Sequence, residues 1–409
     1  MRRALLLLSF SLCGTAAAIL LTVGFSSAFS FNDLGQLGAS VFFVDSITAN
    51  GLKTTYQNAA QRGDRVKILI VPGHDNESWG TEFRGVREAE MTAAVGEELA
   101  RLLASDPHFE VVLTRTSAGY AKEFSDYFVN EKSAVQAFVT SKRQIMNDLQ
   151  KKGSVEPVVG VRHNRAASDV VWKLYSFNKW ANEHGTQIVL HIHFNDYPGR
   201  PYDRPGRYDG FALYVPEDQF SNARASRALA ASLFTQFSQF YIESNLPKES
   251  SGIVPDQDLI AIGAYNTLDA ASVLVEYGYI YEDKFLDPRI RGAFLKELAF
   301  QTYLGLNKFF GTFEETFRRY PTTFLPHRWD ETLQEGVRRN PSVLSLQAAL
   351  LSERLYPPEG TDKRTCPLTG SFGPCTARAV EGFQTKYGLS PSGVAGDTTL
   401  QKLNERYGR

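Results

Sequence analysis

The residues of this chain that could do chemistry are two histidines and two glutamates: His74, His193, Glu88 and Glu276. Both histidines and Glu276 stand at or near the end of an apolar run, and Glu88 stands where a helical pattern begins. Catalytic zinc commonly takes three protein ligands of this nitrogen and oxygen type and leaves a fourth position to water, which a further carboxylate can deprotonate. The four residues therefore suit a hydrolytic metal site.

Strands must bring these residues together. Buried parallel strands are indicated by apolar runs with β-branched residues at 67–71, 187–195 and 271–276. The first run is stopped by Pro72 and Gly73, directly before His74. Because ligands of open α/β sheets bind just beyond the carboxyl ends of the strands, we expect His74, His193 and Glu276 to meet at one rim of the sheet.

The order of strands and helices predicts the fold class. Glu88 opens a helix with one apolar face, and residues 109–115 form the next strand, which makes a β-loop-α-β unit. A long amphipathic helix from about residue 289 to 310 closes this domain. We expect an α/β domain with a mostly parallel twisted sheet and helices on both faces, followed by a small all-α domain of three helices.

Simpler explanations exist for the same residues. A glutamate in the first turn of a helix is favoured by the helix dipole alone. His191 or His193 could simply point into packing. The spacings are long and do not form a compact HExxH motif, so the residues by themselves leave both a metal site and a structural role open.

The remaining sequence divides the chain into segments. Helical spacing interrupts the strand order at residues 117–165 and indicates an insertion, whereas prolines, arginines and aromatics without clear periodicity at 313–338 indicate a lightly packed linker. An apolar run at 41–44 could add a strand. The predicted segments are 1–32 (signal peptide or signal anchor), 33–65 (N-terminal extension), 66–312 (catalytic domain), 313–338 (linker) and 339–409 (three-helix domain).

The N-terminus carries an export signal. Arg2 and Arg3 precede an uncharged, largely apolar stretch that ends near Asn32. The apolar part is long enough to span a bilayer, and residues 26–28 resemble a small-residue cleavage site. A cleaved signal peptide and a retained membrane anchor therefore both stay open.

Composition and length limit the possible functions and the number of domains. The 44 basic and 45 acidic residues give a net charge near zero, and no Lys/Arg-rich block is present, which argues against a nucleic-acid binder. A length of 409 residues is too great for one typical core and favours two domains. Beyond the leading segment the cysteines are Cys366 and Cys375, a close pair that can form a disulfide in an oxidising compartment or stay as two thiols.

Four blocks of sequence, in this order, resemble a known family. They are Ile70–His74, Gly85–Glu88, His191–Asn195 and Val273–Ile280. Through them the chain resembles, over roughly residues 66–311, the zinc-dependent N-acetylmuramoyl-L-alanine amidases of bacterial cell walls. The resemblance implies zinc ligands at His74, Glu88 and His193 and a catalytic carboxylate at Glu276. Two residues next to ligands depart from the family pattern and could alter the contacts around the metal: Asp75, where glycine is usual, and His191, where a small residue is usual.

The C-terminal segment carries a second resemblance. Its blocks at 346–350, 369–376, 379–384, 388–389, 393–396 and 399–400 are similar to the three-helix peptidoglycan-binding module. Together the resemblances imply an exported enzyme of the cell envelope that uses zinc to cleave peptidoglycan, at the amide between the lactyl group of N-acetylmuramic acid and L-alanine. Two alternatives stay open: a non-catalytic peptidoglycan-binding protein, and a zinc peptidase acting on the stem peptide.

The insertion at 117–165 is expected to emerge near the edge of the sheet. An acidic side chain such as Glu123, Asp126 or Glu131 could reach the open zinc position and gate the site. A fixed wall of the substrate groove, or a helix that merely covers the sheet, would also explain the insertion.

Overall fold

The computed structural model describes residues 43–161, 166–197, 199–313 and 321–408. Its strands are β1 (Val66–Pro72), β2 (Glu82–Phe83), β3 (Val86–Arg87), β4 (Phe109–Leu113), β5 (Arg115–Thr116), β6 (Gly119–Tyr120), β7 (Ile188–Asn195), β8 (Ala212–Pro216), β9 (Ile253–Asp256) and β10 (Ala271–Tyr279). Its α-helices are α1 (Ala49–Arg62), α2 (Glu88–Ala104), α3 (Lys122–Asn130), α4 (Lys132–Lys151), α5 (Ser168–Glu183), α6 (Ala223–Phe237), α7 (Asp283–Leu286), α8 (Pro288–Phe310), α9 (Pro341–Ser352), α10 (Pro374–Lys386) and α11 (Asp397–Tyr407).

A six-stranded sheet lies at the centre of the first domain, in the order β4-β1-β7-β10-β8-β9. Strands β4, β1, β7 and β10 are mutually parallel. Strand β8 runs antiparallel to β10, and β9 is parallel to β8. The predicted α/β class with a mostly parallel sheet is confirmed, and the reversed pair stands at one edge.

Both faces of the sheet are covered. Ile68 and Ile70 of β1 belong to the core formed with α2, α6 and α8. Leu69 and Val71 belong to a second core that contains Phe177 of α5. Successive side chains of a strand point to opposite faces, so burial of both faces explains why this strand is a continuous apolar run and not an alternating one.

The region predicted as a helical insertion contains β6, α3 and α4, and it is followed by α5, which the sequence pattern did not predict. Phe124 of α3 is fully buried and packs against Phe177 and Trp180 of α5, with ring centroids 5.7 and 4.9 Å apart. Helix α5 in turn lies against the sheet. Helix α3, which forms the base of the insertion, is therefore part of the hydrophobic core that covers one face of the sheet.

The three C-terminal helices form the predicted all-α domain. Helix α9 begins after Asn340, whose side chain accepts hydrogen bonds from the backbone N–H groups of Ser342 and Val343, the usual role of an N-cap. Cys366 and Cys375 form a disulfide, with Cα atoms 5.9 Å apart, so of the two states left open by the sequence the structure has the bonded one.

The expectation of light packing in the linker is wrong for its described part, residues 321–338. Phe324, Trp329 and Leu333 are buried. Phe324 lies against Phe294 of α8, with ring centroids 5.4 Å apart. Aromatic side chains without helical periodicity still bury their area wherever two elements leave a gap, and here they fill the space between α8 and the C-terminal helices. The boundaries of the linker stay a prediction.

The N-terminal part of the described chain also differs from expectation. Phe43 and Val44 form no strand, and the rest of the apolar run at 41–44 lies outside the described residues. Helix α1 begins instead after Thr48, whose hydroxyl accepts a hydrogen bond from Gly51 N. Within the described residues no helix has the length and apolarity needed to cross a membrane. The predicted signal peptide or anchor at 1–32 lies outside them.

Candidate metal centre

His74 is placed by the end of strand β1. The N–H of Gly73 donates to the carbonyl of Ile192, 2.8 Å away, and so continues the pairing with β7 one residue beyond β1. His74 then takes a left-handed backbone conformation, with φ 62°. Such a conformation is costly for a residue with a side chain and persists only where the surroundings hold it. The strand therefore ends abruptly and turns the imidazole over the rim of the sheet.

Two glycines leave room for the site. A Cβ atom at Gly73 would lie 2.3 Å from Cε1 of His193, and a Cβ atom at Gly80 would lie 2.5 Å from Oε2 of Glu88. Both distances are far inside van der Waals contact. The absence of a side chain at these positions is thus a requirement of the site, and Gly80 also has a positive φ of 76°.

Glu88 lies between the two imidazoles. Its Oε2 is 3.1 Å from Nε2 of His74, and its Oε1 is 3.0 Å from Nδ1 of His193. Backbone N–H groups of Thr81 and Phe194 donate to the same two oxygens. Burial by itself would raise the pKa of Glu88, but the two histidines outweigh it and hold that pKa well below its ordinary value. The carboxylate is therefore ionised and fixed by hydrogen bonds.

The donor atoms of His74, Glu88 and His193 all lie within 4.8 Å of one another. Among the described residues, no other group of three or more histidine, cysteine or acidic side chains is placed to hold a metal ion. Burial lowers the pKa of His193, against the effect of Glu88, and this favours the neutral imidazole that a metal ion binds. The three side chains that the resemblance implied as ligands are thus brought together.

Glu276 lies beside this cluster. It is the register partner of His193, because β10 pairs with β7 in parallel. Its Oε2 is inaccessible to solvent and has no hydrogen-bond partner among the described residues. Burial, with the charges of Glu88 and Glu249, raises the pKa of Glu276 well above its ordinary value. The fourth residue singled out by the sequence is therefore next to the candidate metal-binding cluster, and its Oε2 accepts no hydrogen bond from the described residues.

Glu249, which the sequence pattern did not single out, contributes a second buried carboxylate. It is 1% exposed and follows no recognisable motif. It accepts hydrogen bonds from Tyr214, Ser244, Tyr279 and Asn195. All four donors are neutral, and Glu249 is one of the two carboxylates whose charge raises the pKa of Glu276.

Arg115, which the sequence pattern also did not single out, joins the two segments that carry His74 and Glu88. The side chain is 1% exposed. Its Nε donates to the Pro72 carbonyl at 3.1 Å, and its Nη2 donates to the carbonyls of Gly73 at 2.7 Å and Ala89 at 2.9 Å. The same Nη2 lies 2.8 Å from Oγ1 of Thr92. One guanidinium thus joins the end of β1, which carries His74, to the start of α2, which carries Glu88. An arginine directly after an apolar strand was the available signal.

His191 is packed and does not join the cluster. The side chain is fully buried, and both ring nitrogens have no hydrogen-bond partner among the described residues. Burial, with a smaller contribution from His193, lowers the pKa of His191 to about 3. Its ring stacks near that of His193, with centroids 6.4 Å apart. A neutral, buried His191 therefore packs beside the candidate ligand His193.

The acidic residues of the insertion lie elsewhere. Asp126 pairs with Lys122, and Glu131 lies 3.5 Å from Nζ of Lys179. The described cluster includes none of Glu123, Asp126 and Glu131. The structure does not bring these three carboxylates to the metal position, and a gating role of the insertion stays a prediction.

A mostly parallel sheet that gathers two imidazoles and a carboxylate at its carboxyl edge, beside a further buried glutamate, defines an α/β protein with a candidate metal centre. Residues 68–306, more than half of the chain, match the family described as N-acetylmuramoyl-L-alanine amidase, and the chain belongs to this family. The match includes all four site residues. Residues 339–403 match the peptidoglycan binding domain family.

Two curated proteins show similarity. "Probable N-acetylmuramoyl-L-alanine amidase AmiB" of Haemophilus influenzae is 26% identical over 258 residues, which cover 60% of this chain and 52% of that protein. "Zinc D-Ala-D-Ala carboxypeptidase" of Streptomyces albus G is 36% identical over 77 residues, which cover 19% of this chain and 28% of that protein. The chain thus spans about half, or less, of the length of these relatives.

Solved structures of amidases show a weaker likeness. The CwlD amidase of Clostridioides difficile, solved with the GerS lipoprotein, is 14% identical with a TM-score of 0.39, covering 60% of this chain and 99% of that one. The AmiC2 amidase of Nostoc punctiforme is 17% identical with a TM-score of 0.37, covering 60% and 97%.

Proposed function

We propose that this protein is a zinc-dependent N-acetylmuramoyl-L-alanine amidase, which hydrolyses the amide between the lactyl group of N-acetylmuramic acid and L-alanine in peptidoglycan. The observation that carries the proposal is the convergence of His74, Glu88 and His193 on one point beside Glu276. Membership of the amidase family supports the choice of reaction.

The residues fit a zinc ion. Two imidazole nitrogens and one carboxylate oxygen are the donor set of many catalytic zinc sites, which keep a fourth position for water or substrate. Donor atoms within 4.8 Å of one another need only small side-chain adjustments to bind one ion at about 2 Å each. When bound there, zinc supplies a Lewis acid for an amide carbonyl and lowers the pKa of a water molecule.

Glu276 is the proposed general base and acid. Its carboxylate can accept the proton of the attacking water, because burial and the neighbouring charges raise its pKa. As the carbon–nitrogen bond breaks, the same carboxyl group can give that proton to the nitrogen of the leaving L-alanine, which departs as a neutral amine. The register between β10 and β7 keeps this carboxylate beside His193 during both transfers.

The rest of the chain suits an envelope enzyme. We propose residues 66–312 as the catalytic domain and 339–409 as a module that binds peptidoglycan and raises the effective substrate concentration. The Cys366–Cys375 disulfide is typical of an oxidising compartment outside the cytoplasm. Residues 1–32 would direct export, as a cleaved signal peptide or a retained membrane anchor, and place the protein in the periplasm, the cell wall or on the outer face of the membrane.

Digestion of purified peptidoglycan tests the proposal. The zinc-loaded protein should release stem peptides that begin with L-alanine and leave uncut glycan strands, which mass spectrometry identifies. Cleavage within the stem peptide would instead show a zinc peptidase. Binding to peptidoglycan with no released product would show a non-catalytic wall-binding protein.

A further inference from the structure

Asp75, the residue after His74, is buried and makes contacts on both sides of its carboxylate. Its Oδ1 accepts the backbone N–H groups of Glu77, at 2.9 Å, and Ser78, at 2.7 Å, which closes a tight turn. Its own N–H donates to the Ser78 carbonyl at 3.1 Å. The turn follows directly on the strained backbone of His74 and limits how far that backbone can relax.

The second carboxylate oxygen of Asp75, Oδ2, faces strand β6 and helix α5. It accepts from Nζ of Lys173 at 2.5 Å and from the hydroxyl of Tyr120 at 3.2 Å. The Lys173 side chain is 18% exposed, and that of Asp75 is 7% exposed. A charge-assisted hydrogen bond in such a shielded place is much stronger than an ion pair on the surface.

One partner of Asp75 lies within the insertion, near its start, and the other lies just after its end. Tyr120 belongs to β6, just before α3, and Lys173 belongs to α5, just after the insertion. Lys173 lies one turn before Phe177, whose ring is packed in the core of this sheet face. The packing of α5 against the sheet therefore determines the position of Lys173, independently of the turn at Asp75.

We infer that Asp75 is a positioning residue for the metal ligand His74, and that its bond to Lys173 couples the His74 turn to helix α5. The carboxylate of Asp75 links the turn after His74 to the packed helix α5, so the packing of α5 restrains the position of His74. A shift of α5 or of the base of the insertion would therefore move His74. The inference rests on the proposed zinc site for its effect on metal binding, but the mechanical coupling itself does not need a metal.

Three substitutions in the full protein test the coupling. Lys173→Met removes the cation, and Lys173→Arg keeps it. Lys179→Met is the matched control, because Lys179 lies on the same helix and pairs with Glu183 and Glu131 but not with the ligand turn. Hydrogen–deuterium exchange of peptides that cover residues 74–80 is measured in metal-free protein, and zinc affinity is measured by competition with a chelator.

We expect Lys173→Met to speed amide exchange at residues 74–80 and to weaken zinc binding about tenfold, the usual effect of losing a group that orients a ligand. Lys173→Arg should keep the exchange rate and the zinc affinity close to those of the unsubstituted protein, and Lys179→Met should change neither quantity. Unchanged exchange at 74–80 in Lys173→Met overturns the inference. If Lys173→Met shows faster exchange but the unsubstituted protein binds no zinc, the coupling is supported and the proposed metal site is rejected. Failure of the coupling and failure of the metal site are therefore distinguishable.

Discussion

Glu276 of β10 and His193 of β7 are register partners on adjacent parallel strands. Their side chains therefore project from the same face of the sheet, and the distance between the proposed general base and the proposed metal ligand is set by strand pairing and not by a loop. The pairing is continuous from Ala271 to Glu276 and shifts only beyond Glu276. A rigid ladder thus ends at the residue that the proposed chemistry needs.

The metal site gives the first prediction. Protein that lacks residues 1–32 should contain about one zinc ion per chain, because the cluster offers one complete set of three ligands. His74→Ala and His193→Ala should lose most of it, as measured by elemental analysis after dialysis. His184→Ala, an exposed histidine, is the control. Undiminished zinc in both ligand variants would rule out this site.

Glu276→Gln separates metal binding from catalysis. The amide keeps the shape of the side chain but cannot take a proton, so we expect amidase activity to fall by about 10²–10⁴-fold while the zinc content is kept. Release of stem peptides from peptidoglycan is the measurement. Glu110→Gln on the edge strand β4, where the side chain is 42% exposed, should leave activity unchanged. A fully active Glu276→Gln protein would exclude the proposed base.

Arg115→Met should destabilise the fold. Without the guanidinium, the carbonyls of Pro72, Gly73 and Ala89 lose a buried donor. At about 1–3 kcal/mol for an unsatisfied buried group, we expect the free energy of unfolding in urea to fall by about 3 kcal/mol. The exposed Arg101, which pairs only with Glu98 among the described contacts, provides the control, and Arg101→Met should stay within about 0.5 kcal/mol.

The C-terminal domain should show an acid-sensitive ion cluster. Burial would raise the pKa of Glu353, but hydrogen bonds from four side chains outweigh it and lower that pKa from 4.5 to about 2. The donors are Lys386, Tyr407, Arg406 and Tyr387. Because the folded-state pKa is depressed, the stability that this carboxylate contributes is complete above the unfolded pKa near 4.5 and is lost as the pH falls towards 2.

Comparison with Glu353→Gln measures that contribution. We expect the variant to melt at a lower temperature than the unsubstituted protein at about pH 7, and the difference to shrink as the pH is lowered through the window of about 4.5 to 2. Differential scanning calorimetry at several pH values follows this change. A difference in melting temperature that is the same at neutral and acid pH would contradict the assignment.

Removal of the peptidoglycan-binding module should separate anchoring from chemistry, and the structure decides where to cut. A chain that ends at Pro326 keeps the contact of Phe324 with Phe294 and the hydrogen bonds of Thr323 with Glu297. We expect it to hydrolyse small soluble substrates normally but to be retained less by insoluble peptidoglycan in a pull-down. A chain that ends at Thr312 should melt at a lower temperature, because it uncovers Phe294 and leaves Glu297 without Thr323. Equal pull-down with and without the module would contradict its anchoring role.

Much of the site was determined by the sequence alone. Continuous apolar runs with β-branched residues marked β1, β7 and β10, and the stop at Pro72-Gly73 marked the end of the first. Since the carboxyl ends of parallel strands meet at one rim, the types and places of His74, His193 and Glu276 were enough to predict that they converge. Glu88 at the start of α2 was likewise visible in the pattern.

Only the tertiary structure decided which distant groups hold the site. The pairing of Glu276 with His193, the reach of Arg115 to two segments and the bond from Lys173 to Asp75 each join residues far apart in the chain. Local patterns encode burial, helix ends and turns, because those depend on neighbours a few residues away. Strand register and buried ion pairs depend on how the whole chain is routed, so no short stretch of sequence contains them.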